Sequence, residues 1–239
     1  MKTLLTAGLI AGTPVDTAFG ASFLATMNIQ GRMVALSPSP EAQNYLQVHR
    51  RDQLETVCLS KCLELQAEGV DFIVIFCNSL SSAVDVAKIS QKLKVPLFTP
   101  FDFYRQIAQT FSKFAVLAAN STGLSGVERI ISSSQPDAKF ISYANLNIVQ
   151  SIEEKELPDQ IIKAHGLADF LHICHKSEVD VLLLGCTHYS YLFDALNRAK
   201  EELGYSFAIR DIDHGLKEII ERCARQNFQS TGSLPVPIR

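Results

Sequence analysis

The two stretches "VDFIVIFCNSLSSAVD" at positions 70–85 and "VDVLLLGCTHYSYLFD" at positions 179–194 decide the fold. Each runs through apolar residues to a cysteine and then turns polar. An offset of 109 residues aligns Cys77 with Cys186, Asp71 with Asp180, and Asp85 with Asp194. The sequence therefore contains an internal duplication centred on two cysteines.

Short apolar runs alternate along the chain with segments of helical periodicity. A run without polar alternation is typical of a strand that is covered on both faces of a parallel sheet. Such strands are predicted at 3–10, 72–76, 95–98, 115–118, 140–143, 181–184 and 207–209. Helices are predicted at 43–68, 80–93, 103–111, 124–131, 159–176, 191–203 and 215–225. This order predicts an α/β fold with mostly parallel sheets flanked by helices.

The composition is that of an ordinary globular protein. The chain has 239 residues, of which 47% are hydrophobic, and this suits one large domain or two small lobes. The net charge of -3 and the absence of a basic run argue against nucleic acid or an anionic membrane as a partner. No apolar run approaches the ~18 residues that a membrane span needs.

The cysteines indicate a reducing compartment. Six cysteines in a chain of this length lack a short-spaced disulfide pattern, so we expect reduced thiols and a cytoplasmic location. The competing signal is the segment 1–23, which resembles a secretory leader. Its apolar stretch is short, is interrupted by Gly8, Gly12 and Pro14, and is followed by Asp16. These features favour a buried first strand.

Both duplicated cysteines directly follow a predicted strand. Ligands of open α/β sheets bind beyond the carboxyl ends of the strands, so Cys77 and Cys186 are expected to face a cleft. The next residues, Asn78, Ser79 and Thr187, are types that cap helices. A thiol at the start of a helix has a lowered pKa and forms the reactive thiolate more readily. The alternative is a small buried hydrophobe, the usual role of a free cysteine, but the matched repeat favours reactive thiols.

Two thiols that face one substrate can invert a stereocentre. One removes a proton from carbon, and the other returns a proton to the opposite face. Neighbouring groups tune the pKa values of such a pair. The candidates are His188, two residues after Cys186, and Asp16, in the predicted loop after the first strand. The structural alternatives are a turn former for Asp16 and a cap partner for His188.

Two motifs together resemble those of a known family. "GCTHY" at 185–189 and "CNS" at 77–79, each after an apolar strand, resemble the paired cysteine motifs of cofactor-independent glutamate and aspartate racemases. The resemblance continues through "GTPVDT" at 12–17, "LAANST" at 117–122 and "DIDHG" at 211–215. The pair of cysteine motifs is specific, whereas either motif alone would be weak.

The resemblance implies a set of site residues. Cys77 and Cys186 would be the paired acid and base, assisted by Asp16 and His188, with no cofactor and no metal. The implied substrate is a small acidic amino acid. The residues implied to bind it are Thr13, Pro14, Thr17, Asn78, Ser79, Thr122 and Thr187.

The resemblance also implies an architecture and an assembly. Two pseudosymmetric α/β lobes would enclose the site, with residues 1–98 and 208–239 in the first lobe and 99–207 in the second. Members of the family are commonly homodimers.

The motifs disagree about the substrate side chain. His188 favours glutamate, because aspartate racemases usually have Glu there, whereas Thr13, Pro14 and Thr17 favour the aspartate branch. The Asp-Ser-Gly and Pro-Tyr-Gly segments usual in glutamate racemases are absent, and Ala119 stands where the family often has Thr. We expect glutamate over aspartate, which would imply supply of D-glutamate for the bacterial cell wall.

The alternatives to an amino-acid racemase are a sibling isomerase, a solute-binding protein and a metal-binding protein. A sibling isomerase, such as hydantoin racemase or maleate isomerase, would use two cysteines on the same scaffold, and a solute-binding protein would also have two lobes around a cleft. A metal site of His172, Cys174 and His175, extended by His165, is disfavoured because Cys174 is off the helix face that the neighbouring histidines share. The chain also lacks Cys-x-x-Cys and Gly-x-Gly-x-x-Gly motifs.

Overall fold

Two four-stranded parallel sheets form the centre of the protein. The computed structural model describes residues 4–228. The first sheet has the order β2-β1-β3-β4, and the second has the order β6-β5-β7-β8. The strands are β1 (Thr6–Ala11), β2 (Gln30–Ala35), β3 (Phe72–Ile75), β4 (Leu97–Phe98), β5 (Lys113–Ala118), β6 (Lys139–Ala144), β7 (Val181–Gly185) and β8 (Ala208–Arg210). The matching strand orders confirm the predicted α/β fold and its duplication.

Helices flank both sheets. They are α1 (Pro14–Ala25), α2 (Pro40–His49), α3 (Arg51–Ala67), α4 (Asn78–Ala83), α5 (Val86–Gln91), α6 (Pro100–Ile107), α7 (Ser121–Ser134), α8 (Leu146–Glu153), α9 (Pro158–Ala164), α10 (Leu167–Lys176), α11 (Phe193–Glu202) and α12 (Ile212–Phe228). A 3-10 helix spans Thr187–Leu192. No helix within residues 4–228 combines the length and the hydropathy that crossing a bilayer requires.

The duplicated aspartates Asp71 and Asp180 make equivalent hydrogen bonds in the two sheets. Asp71 Oδ2 accepts a hydrogen bond of 2.7 Å from the backbone N–H of Thr6, at the start of β1. Asp180 Oδ2 accepts bonds of 2.9 and 2.8 Å from the backbone N–H groups of Ser112 and Lys113, at the start of β5. Each aspartate therefore anchors the central strand of its own sheet.

A shared apolar core joins the sheets. One cluster of buried residues includes Leu9 and Val74 of the first sheet, Val116 and Leu183 of the second, and Leu216 of α12. Separate clusters hold α3 against the first sheet and α8 to α11 against the second. Burial of this apolar surface provides most of the driving force for joining the lobes.

Three elements were not predicted from the sequence. Strand β2 lies at a sheet edge and is largely exposed, so it has no apolar run. Helix α8 was not predicted either. Helix α1 begins at Pro14, and the Thr13 side chain caps it by accepting a 3.2 Å bond from the backbone N–H of Asp16. The prediction of a loop here is wrong, because Asp16 lies in the first turn of a helix.

Three long predicted helices are each divided in two. Arg50, at φ -139° and ψ 40°, separates α2 from α3. Asp85 caps α5 by accepting a 2.9 Å bond from the backbone N–H of Lys88, and so separates α5 from α4. Gly166, at φ 64°, separates α9 from α10 in a left-handed conformation that favours glycine.

The predicted lobe division fails at one strand. Ala208–Arg210 pairs with β7 in the second sheet, so assigning residues 208–210 to the first lobe is wrong. The residues from 229 to 239 lie outside the described part of the chain. The rest of the division stays a prediction.

The contact between α6 and α12 yields a test of the packing. A Cβ atom on Gly215 would lie 2.0 Å from Cδ2 of the buried Phe103 ring. We expect Gly215→Ala to lower the free energy of unfolding by about 1–3 kcal/mol, because it overpacks this contact. Urea denaturation measures the change. Gly123→Ala is the control, since its Cβ atom would meet its nearest neighbour at 3.5 Å; equal losses in both variants would contradict the packing.

Candidate active site

Cys77 and Cys186 occupy equivalent positions in the two lobes. Cys77 follows β3 and directly precedes α4, and Cys186 follows β7 and directly precedes the 3-10 helix. Their side chains are 7% and 8% exposed. The cysteines themselves are the N-cap residues, without a side-chain cap bond. The capping role predicted for Asn78, Ser79 and Thr187 is therefore wrong.

The surroundings of Cys77 favour the protonated thiol. Burial raises its pKa far above the usual value, the charge of Asp16 adds to this, and hydrogen bonds with the Leu80 backbone and with Ser79 oppose it only in part. Ser79 Oγ lies 3.6 Å from Cys77 Sγ. The lowered pKa expected at a helix start is wrong here, because a helix of six residues cannot offset the lost solvation of a thiolate.

His188 is a buried imidazole beside Cys186. Its Nδ1 atom is 3.8 Å from Cys186 Sγ and 3.6 Å from Asp16 Oδ1. Its Nε2 atom is 2.9 Å from Glu153 Oε1. Burial lowers the pKa of His188, but Asp16, Cys186 and Glu153 outweigh burial and raise the pKa well above the usual value. Both ring nitrogens can therefore act as donors.

Asp16 connects the two lobes. Its Oδ1 atom accepts a 2.6 Å bond from Thr187 Oγ1 in the second lobe, and its Oδ2 atom accepts a 3.1 Å bond from the Gly12 N–H in the first. Burial raises the pKa of Asp16, and the neighbouring His188, Thr187 and Gly12 oppose this rise. Asp16 was expected to assist Cys77, but its direct contacts are with Thr187 and His188, and its charge acts on Cys77 from a distance.

Glu153 is a site residue that the sequence analysis missed. Its Oε1 atom accepts a 2.7 Å bond from Thr13 Oγ1 and also faces His188 Nε2. Burial raises the pKa of Glu153, but the bonds from His188 and Thr13 outweigh it and lower the pKa. No local signal identified this residue, because it is one of three glutamates in "EEKE" at 153–156.

Asn78 and Ser79 lie in the first turn of α4, next to Cys77. Asn78 Oδ1 accepts a 2.6 Å bond from the Tyr104 hydroxyl, while the buried Asn78 Nδ2 has no partner. Ser79 Oγ accepts a 2.7 Å bond from Nε2 of Gln47. The structure thus brings both residues to the Cys77 side of the site.

The remaining predicted binding residues have different surroundings. Thr17 donates its hydroxyl to the Thr13 carbonyl at 2.7 Å, and Pro14 is exposed, so both belong to the first turn of α1. Thr187 donates to Asp16, as described above. Thr122 is buried in the first turn of α7 and borders a polar cavity of about 200 Å³ together with Arg51 and Arg129.

The histidines considered as metal ligands have other partners. His172 Nδ1 lies 2.8 Å from the Tyr205 hydroxyl, His165 Nε2 lies 3.1 Å from Ser151 Oγ, and Cys174 is in the apolar core. Within residues 4–228, no group of three or more His, Cys, Asp or Glu side chains is arranged to hold a metal ion.

The chain is similar to known proteins of one family. Residues 28–203 match the Asp/Glu/hydantoin racemase family. The chain belongs to this family. Over 141 residues it is 30% identical to a glutamate racemase from Cupriavidus pinatubonensis (strain JMP 134 / LMG 1197), which covers 58% of this chain and 51% of the relative. The chain spans about half the length of the curated relatives it matches.

Solved structures of the family share the fold. Glutamate racemase from Thermus thermophilus, in complex with β-chloro-D-alanine, has a TM-score of 0.73 at 19% identity and covers 94% of this chain and 82% of its own. An aspartate racemase homologue from Pyrococcus horikoshii OT3 has a TM-score of 0.66 at 15% identity, with 92% and 99% covered. The fold that the resemblance implied is therefore confirmed.

The charge coupling at His188 can be measured directly. We expect Glu153→Gln to lower the pKa of His188, because the variant lacks one of the two carboxylates that stabilise the imidazolium. An NMR titration of the His188 ring protons against pH gives the shift. Glu154→Gln, an exposed neighbour, is the control and should leave the titration unchanged. The same His188 titration in Glu153→Gln and wild type would contradict the coupling.

Proposed function

We propose that the protein is a cofactor-independent racemase of an acidic amino acid, with glutamate favoured over aspartate. The observation that carries this proposal is the pair of thiols at equivalent strand ends of two matched lobes. Cys77 lies close enough to Asp16 and Cys186 for their charges to act on its pKa. Membership of the racemase family supports the reaction, and relatives named glutamate racemase support the preferred substrate.

The proposed reaction moves one proton to and one proton from the same carbon. The thiolate of one cysteine takes the α-proton, so that the C–H bond breaks and an S–H bond forms. The thiol of the other cysteine then gives its proton to the opposite face of the carbon, and the configuration inverts. No electrons leave the substrate, and the two sulfurs exchange protonation states in each turnover.

The surroundings of the two sulfurs suggest their resting roles. Cys77, with its raised pKa, is the thiol that donates a proton. We assign the role of base to Cys186, since His188 Nδ1 lies 3.8 Å from its sulfur and can donate a hydrogen bond to it. Substrate of the opposite configuration would require the reverse assignment.

The buried amide of Asn78 supports a binding role for the first turn of α4. Its Oδ1 atom is held by the Tyr104 hydroxyl, which leaves the Nδ2 hydrogens without a protein partner. An amide N–H₂ fixed in this way suits a carboxylate of the substrate. We assign the α-carboxylate to Asn78 and Ser79, and the ammonium group to the Asp16 and Thr187 pair. The binding role of Thr122 stays a prediction.

Aspartate is the second candidate substrate. Its support is the Thr13, Pro14 and Thr17 segment, which is typical of the aspartate branch, and the aspartate racemase homologue that shares the fold. The family also includes hydantoin racemases, so a hydantoin is the sibling substrate to compare. The homodimer implied by the resemblance stays a prediction.

Exchange of the α-hydrogen with solvent tests the proposal. In heavy water without added cofactor, the protein should remove the α-proton NMR signal of L- and D-glutamate, because the returning hydrogen comes from a thiol that exchanges with solvent. Cys77→Ala and Cys186→Ala should each reduce racemisation about 10²–10⁴-fold. Cys174→Ala, in the apolar core of the second lobe, is the control and should keep the wild-type rate.

The opposite result has a clear meaning. Folded wild-type protein that exchanges neither glutamate nor aspartate would reject the amino-acid racemase and would shift support to the hydantoin-type isomerase. Equal rates in Cys77→Ala and wild type would reject the two-thiol mechanism.

A further inference from the structure

Three buried polar atoms close to Cys77 have no hydrogen-bond partner. They are Nε2 and Oε1 of Gln43 and Nδ2 of Asn78. Asn78 has an assigned role in the proposed function, but Gln43 does not. Gln43 lies on α2, is 5% exposed, and belongs to no motif recognised in the sequence. Buried polar groups without a partner destabilise a folded protein, so each one requires an explanation.

Gly12 places Gln43 beside the Cys77 thiol. A Cβ atom on Gly12 would lie 3.4 Å from Cys77 Sγ and also 3.4 Å from both Cγ and Cδ of Gln43. The absent side chain therefore leaves a gap bordered by the sulfur and by the glutamine. The Gly12 N–H donates to Asp16, and the Gly12 carbonyl accepts bonds from Ser37. The backbone of Gly12 is therefore hydrogen-bonded to residues other than Gln43.

Gln47 shows how a structural glutamine is held on the same helix. Its Nε2 atom donates to Ser79 Oγ at 2.7 Å, and its Oε1 atom accepts a 3.1 Å bond from Asn120 Nδ2. It is 0% exposed. Gln43 and Gln47 share residue type, helix and burial, and they differ in whether the amide is satisfied. Packing does not explain why the buried amide of Gln43 has no hydrogen-bond partner, whereas a bound ligand that supplies the partner would explain it.

We propose that Gln43 determines specificity by donating a hydrogen bond from Nε2 to the terminal carbonyl oxygen of the substrate side chain. This inference rests on the proposed function. Asn78, Ser79 and Asp16 are assigned to the groups on the α-carbon. The Gln43 side chain, which borders the same gap as Cys77 Sγ, is therefore left for the substrate side chain. An uncharged amide can serve a terminal carboxylate through Nε2, or a terminal carboxamide through Nε2 and Oε1 together.

The test compares ligands with and without a polar end. Gln43→Met keeps a similar volume and removes both polar atoms. We expect it to raise KM for glutamate about tenfold or more, because one hydrogen bond to a charged group is lost, with a smaller effect on kcat. Norvaline has a side chain of the same number of carbons without the polar end. Its inhibition constant should stay the same or improve in the variant.

A stability measurement separates binding from folding. Gln43→Met should match or exceed the wild-type melting temperature, because the variant no longer buries an unpaired amide. Gln47→Met is the matched variant and should melt at a lower temperature, because it removes the two hydrogen bonds that Gln47 makes with Ser79 and Asn120. A loss of stability in Gln43→Met as large as that in Gln47→Met would overturn the proposal.

Glutamine in place of glutamate distinguishes the two terminal groups. A raised KM for either one in Gln43→Met supports the proposal, and the better wild-type substrate names the group. An unchanged KM for both glutamate and glutamine in Gln43→Met, or norvaline binding that weakens as much as theirs, would overturn the role of Gln43. Exchange of α-protons by the wild-type protein would still support the racemase in that case. Wild-type protein that exchanges none of the acids or amides would overturn both together.

Discussion

The buried imidazole of His188, held between two carboxyl groups, is the interaction on which the rest of the site depends. His188 is held by Glu153 from its own lobe and by Asp16 from the other. An isolated charge at this depth would be strongly unfavourable, and removing one partner of such a group is far more costly than the pair is beneficial. These contacts therefore link the two lobes next to Cys186, the thiol beside His188.

The sequence predicts the features that the duplication repeats, which are the central strands and the cysteines that follow them. It does not predict features that depend on contacts between distant parts of the chain. The central strands and both cysteine positions were found, because covered strands have unbroken apolar runs. Edge strand β2 has no such run, and Glu153 cannot be told apart from the glutamates beside it. Gly166 and Asp85 are helix-ending and helix-starting residue types that the sequence does contain, whereas nothing local marks the break at Arg50.

The two halves of the site are matched in position and unequal in chemistry. The position of each cysteine at the start of a helix predicts a lowered pKa for both thiols, because that prediction uses only the residues next to each strand. Depth of burial, which a sequence does not display, reverses the expected pKa shift of Cys77. The residue two places after each cysteine differs as well, with Ser79 in one half and His188 in the other. A symmetric backbone therefore carries an asymmetric pair of proton carriers.

Several side-chain hydrogen bonds join the two lobes, and some of them involve residues next to the thiols. Thr187 bonds to Asp16, Thr13 to Glu153, and Asn120 to Asn44, in addition to the apolar core that the two sheets share. Separation of the lobes would break these bonds. A ligand whose entry parts the lobes would therefore bind with an affinity that includes the free energy of breaking and remaking them.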